Sequence, residues 1–105
     1  MTITERITCM TQLWRWTGGD NGSWHFMSIT GEAGEALSAT ALMRRLEGMA
    51  RGFGSLKVTA TIGATSWQTS VFPSRGAGWM LPVKAAVRKA EGLSEGDEVA
   101  LLLEV

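Results

Sequence analysis

Little in this sequence supports covalent or metal chemistry. One cysteine, Cys9, stands among 105 residues, so no internal disulfide can form. That usage fits a reducing compartment. There is one histidine, His25, and one His with one Cys cannot supply a zinc set without several carboxylates. Ten basic and ten acidic residues cancel, which leaves no overall field to draw the chain to nucleic acid or an anionic membrane. No apolar run approaches the ~20 residues of a membrane span. The stretch from Met1 to Arg6 is polar and has no signal-peptide apolar core. A cytoplasmic location is the expectation. With two prolines in the chain, punctuation falls to glycine.

The hydrophobic share is 45%, with five Trp and six Met, so the chain is not disordered. Its length predicts one domain, residues 1–105. A domain of this size buries about 60–70% of its unfolded surface. That makes one core and leaves no room for a separate catalytic domain.

From Ile3 to Thr17 the residues have β character, with apolar side chains on both parities. Ile7, Cys9 and Leu13 take one parity, and Met10, Trp14 and Trp16 the other. A change of face midway predicts a bulge or a strand bending between sheets. The Gly18–Gly22 loop leads to a second strand, Ser23–Thr30. From Glu35 to Arg51 the period changes. Ala39, Leu42, Met43, Leu46, Met49 and Ala50 recur at three- and four-residue steps, which predicts a helix with that face inward. Ser38 is the expected cap and Gly52 the stop.

Leu56, Val58, Ala60 and Ile62 alternate with Lys57, Thr59 and Thr61, the pattern of a strand with one wet face. Gly63 and Ala64 turn the chain into a partner strand, Ser66–Phe72, which Pro73 ends. Trp79–Val83 reads as a short strand and Lys84–Glu91 as a short helix with Val87 inward. Gly92 stops that helix, Ser94–Asp97 makes a turn, and Val99–Val105 is a last strand, apolar on both faces at Leu102. The connections are too short for most parallel crossovers. The fold expected is mainly β: a small antiparallel barrel of about six strands with one longer and one short helix, a helix covering one opening.

Ordered motifs then carry a resemblance. They are Leu13-Trp14-Arg15-Trp16 with Gly22-Ser23-Trp24-His25-Phe26, Val58–Gly63, Trp67–Pro73, Gly78–Val83, and Val87–Ala90 running into Gly92-Leu93 and Gly96–Val99. From Ile7 to Val105 the chain resembles a bacterial family known as domain of unknown function 1905. The resemblance implies a double-split β-barrel and no assigned activity. Trp79 stands where many relatives are expected to have Tyr. Some relatives carry a second small domain implicated in bacteriocin protection; these 105 residues hold no match to it, so that role is not expected. The C-terminal third, Leu81-Pro82-Val83 through Gly96-Asp97, is also similar to one arm of swapped-hairpin transcription regulators and antitoxins. The structural reading of that motif is a helix closing a barrel end and Asp97 bonding backbone amides in the turn.

Few residues offer chemistry. His25 and Cys9 become neighbours only if their strands pair, and an apolar strand is a poor place for an activated thiolate. The Gly clusters match neither a P-loop nor a dinucleotide fingerprint and read as turns. Tryptophans mostly fill interiors, with Trp67 and Trp79 the best candidates for a rim. Lys84 and Arg88 share one face of the short helix, and Arg75 in the preceding loop is placed to approach them. The expected function is a non-enzymatic barrel module that binds a small anionic ligand or a protein partner through Arg75, Trp79, Lys84 and Arg88, with Trp67 beside them. The alternative is a dimeric DNA-binding regulator of swapped-hairpin type. An enzyme using carboxylates ranks last, because no acid pair is placed for it. No cofactor is expected, and the oligomeric state, monomer or homodimer, stays open.

Overall fold

The computed structural model describes residues 5–17, 23–46, 54–74 and 78–105. In chain order the elements are β1 (Arg6–Thr17), β2 (Ser23–Ile29), α1 (Gly31–Leu46), β3 (Leu56–Ile62), β4 (Thr65–Pro73), β5 (Trp79–Pro82), α2 (Ala85–Glu91) and β6 (Glu98–Glu104). The strands close into a barrel in the order β1-β2-β5-β4-β3-β6, and every pairing is antiparallel.

β1 is long because it serves two partners. Arg6–Gln12 pair with β6, and Leu13–Thr17 pair with β2. The strand therefore passes between sheets, but without the predicted change of face. Ile7 and Leu13 point into the core, while Met10, Trp14 and Trp16 stay on the outer parity throughout. β6 lies between β1 and β3, with its outward, half-buried Leu102 in register with Thr8 and Thr61. The alternation of β3 is realised as read: Leu56, Val58, Ala60 and Ile62 are buried. They meet Leu13, Met27, Ile29, Val71, Leu81, Leu101 and Leu103 in one core.

A helix stands at each end. At the end where β1 begins and β2 finishes, α1 docks. Thr40 Oγ1 donates to Glu5 Oε2 at 3.4 Å. Gly34 and Gly78 both pack on the Ile29 carbonyl, so closely that a Cβ on either would collide with it. Gly78, at φ +81, also holds a backbone conformation that a side chain disfavours.

The α1 reading needs two corrections. The helix starts at Gly31 rather than Glu35, so Ser38 lies inside it and caps nothing. The inward face is Ala33, Gly34, Leu37 and Thr40, whereas Leu42, Met43 and Leu46 are exposed, Leu46 at 74%. The close approach at Gly34 fixes which side of the first two turns meets the barrel. Met49, Ala50 and Gly52 lie outside the described residues.

At the opposite end, α2 buries Val87. It is tied to the β3–β4 turn by Thr65 Oγ1 donating to Glu91 Oε2 at 2.6 Å. Gly92 ends α2 in the left-handed conformation at φ 63, its N–H returning to carbonyls of the last turn. In the next turn the Ser94 N–H donates to Asp97 Oδ2 at 2.8 Å, the backbone bond anticipated for that aspartate. Among the described residues no helix is long and apolar enough to cross a membrane.

A candidate anion-binding cleft

The cleft follows from the shortness of β5. This strand pairs with β2 through Phe26–Ile29 but with β4 only at Phe72 and Pro73. One more rung, Val83 N–H to the His25 carbonyl at 2.9 Å, continues it along β2. The chain then turns away into α2. Beyond that point no strand among the described residues lies between β2 and β4. The gap is a cleft of about 350 Å³, with Trp24 and His25 from β2, Trp67, Gln68 and Thr69 from β4, and Lys84 and Arg88 on the α2 side.

Arg88 reaches across to β2. Its Nη1 lies 3.2 Å from His25 Nε2. A guanidinium can only donate, so Nε2 accepts and the ring proton sits on Nδ1. That Nδ1 and Arg88 Nε are both buried with no hydrogen-bond partner among the described residues. Burial holds the His25 pKa below its ordinary value, helped by the positive charges of Arg88 and Arg15 and opposed by Glu95. The ring is therefore neutral near pH 7, and the adjacent cation faces an uncharged neighbour. Among the described residues neither Lys84 nor Arg88 forms an ion pair; the ion pair there is Arg6 with Glu104, 3.5 Å apart on the outer surface.

The structure brings together three of the residues singled out by sequence: Trp67, Lys84 and Arg88. It sets Trp79 apart. Trp79 begins β5 and Trp67 lies near the start of antiparallel β4, so the two indoles occupy opposite ends of the barrel and share no rim. Trp79 is buried under α1, its Nε1 donating to Ser38 Oγ at 3.0 Å. Arg75 lies outside the described residues. Trp24 and His25 were missed as site residues. Counting back from the five-residue loop pairs Trp16 with Trp24 and Arg15 with His25, but nothing local says that α2 crosses to β2.

The tryptophans divide differently from the sequence expectation. Trp67 and Trp79 are interior, while Trp16 and Trp24 are 46% and 57% exposed on the outer face of the β1–β2 hairpin. Next to that pair Trp14 packs on Phe26, centroids 5.1 Å apart, and donates from Nε1 to Ser28 Oγ at 3.0 Å.

A second opening of about 410 Å³ lies where β1 parts from β2, lined by Cys9, Met10, Thr11, Trp14, Ser28 and Glu98 among others. Burial pushes the Cys9 thiol pKa up, the wrong direction for a nucleophile. Cys9 faces Leu101 on β6, whereas His25 faces Arg15, six residues further along β1 and hence roughly 20 Å away. The two do not form a catalytic pair. Among the described residues no three His, Cys, Asp or Glu side chains gather as a metal site would require.

Fold and cleft together define a small closed antiparallel β-barrel with a helix at each end and a cation-lined gap in its wall. A family model described as Domain of unknown function (DUF1905) matches residues 10–103, and the chain belongs to that family. No curated protein matches the sequence.

Proposed function

We propose that this domain is a non-enzymatic binding module whose cleft between β2, β4 and α2 takes a small anion. The observation that carries the reading is the Arg88–His25 contact: a half-buried guanidinium stands beside a neutral imidazole and has no carboxylate partner among the described residues. A charge removed from water without a counter-charge is costly. An anion in the cleft offsets that cost through charge-assisted hydrogen bonds, and Lys84 at the same wall adds a second positive charge. The volume lies within the range of small-ligand sites. The single, partly buried thiol supports a reducing, cytoplasmic setting.

A two-dimensional NMR titration with inorganic phosphate tests the reading. Saturable shifts of the Arg88 Nε–H and the His25 ring signals are expected, with the α1 end unmoved. Shifts confined to other surfaces, or none at the cleft, reject it.

A further inference from the structure

We infer that the barrel wall made by β1, β2, β5 and β4 is the face through which two copies of this chain associate. Along these strands Leu13, Met27, Val71 and Leu81 turn inward and are buried. The alternate positions turn outward, and the pairing lays them side by side. Trp16 stands opposite Trp24, and Trp14 opposite Phe26. Phe26 in turn stands opposite Pro82, and Met80 opposite Phe72. The result is one apolar face that crosses four strands and lies outside the core. Trp14 is held in it by its contact with Phe26 and its bond to Ser28.

Two observations commit this face to a second copy. The first is its size. Trp16, Trp24 and Phe72 are 46%, 57% and 43% exposed. With about 200–250 Å² for a whole side chain of this kind, these three alone expose roughly 300 Å². Half-buried Trp14, Phe26, Met80 and Pro82 enlarge the face further. The largest apolar patch on an ordinary monomer is about 300–600 Å² and is often functional. One side of a standard interface covers about 800 Å², a little over half of it apolar. The face therefore supplies most of the apolar area that a stable dimer needs.

The second observation is its charge. In a twofold contact a patch meets itself, so a charge near the axis meets its own sign. From Leu13 onward on β1, and throughout β2, β5 and β4, every outward position is uncharged; those that are not apolar are serine or glutamine. Outward charges lie on the other wall, at Lys57 on β3 and at Glu98 and Glu104 on β6. An uncharged surface of Trp, Phe and Met has the composition of an interface centre. The chain's net charge of zero adds no repulsion between copies.

Sedimentation velocity over a concentration series tests the inference. The mass is expected to rise with concentration from 11.3 kDa to twice that value. Added sulfate tightens the association, as burial of apolar surface requires; loosening by salt would mark a contact held by charge and overturn the inference. Trp16→Glu sets like charges into the contact and is expected to weaken the dimer at least tenfold while keeping a cooperative thermal transition. Phe72→Ser is a milder change on the same face. It is expected to weaken the dimer several-fold, and it decides the matter if Trp16→Glu does not fold. Leu46→Gln, at an exposed apolar residue away from this face, leaves the dimer unchanged. A dimer undiminished in the folded variants places the interface elsewhere and overturns the inference. So does a monomer at every concentration up to about 1 mM; binding of that monomer to phosphatidylcholine vesicles would assign the face to a lipid surface instead.

Discussion

Arg88 on α2 donates to His25 on β2 across a sequence separation of 63 residues, Nη1 to Nε2 at 3.2 Å. This contact fixes the imidazole tautomer, adds to the burial that keeps the ring uncharged, and sets at the wall of a cleft a cation with no ion-pair partner among the described residues. The predictions below begin with its titration.

His25 has a folded pKa below the value of about 6.5 that it takes in the unfolded chain. The unfolded chain therefore binds more protons as pH falls, and the fold loses stability with them. The stability is fully present above pH ~6.5 and declines as pH drops through that value towards the folded pKa. Denaturant melts of wild type and His25→Gln across pH 5 to 8, chosen to bracket that pKa, are expected to diverge below pH ~6.5, with the variant flatter. Parallel curves contradict the assignment. An anion bound in the cleft raises the His25 pKa, so phosphate narrows the divergence.

The two halves of α1 are predicted to behave oppositely. Leu37 is fully buried, and Leu37→Ala is expected to cost about 2–5 kcal/mol. Leu46, 74% exposed, is expected to tolerate Leu46→Gln within about 0.5 kcal/mol. Urea midpoints for the two variants check this, and a large loss at Leu46 means that the inward face has been misplaced.

Trp79 belongs to the structure of the α1 end and not to the cleft. A double-mutant cycle of Trp79→Phe with Ser38→Ala is expected to return a coupling of about 0.5–1.5 kcal/mol for the Nε1–Oγ bond. Anion affinity of the folded Trp79→Phe variant stays at the wild-type value. A matching loss of affinity would join the two ends of the barrel functionally and break the division drawn between Trp79 and Trp67.

The barrel was readable because its strands alternate. Leu56 to Ile62 carries a period of two that admits one orientation, and Gly63, Pro73 and Gly92 mark boundaries by backbone chemistry rather than by context. The face of α1 was not readable. Its apolar residues occupy more than one side, and only docking at Gly34 and Gly78 decides which side the barrel meets. The outward Trp14 and Trp16 misled for a related reason: an apolar residue on a strand states its parity, not whether that side is covered. Half of the cleft was visible, since Lys84 and Arg88 are one helical turn apart. His25 and Trp24 were not, because their place beside α2 depends on where β5 ends and how the barrel closes.

The most direct measurement is the affinity of inorganic phosphate for wild type, Arg88→Gln and Lys84→Gln, each shown folded by its thermal transition. A charge-assisted hydrogen bond to an ion contributes about 1.5–3 kcal/mol. Arg88→Gln is therefore expected to lose at least tenfold in affinity, and exposed Lys84→Gln clearly less. Undiminished binding to folded Arg88→Gln would show that the gap beside β5 is not where the anion goes.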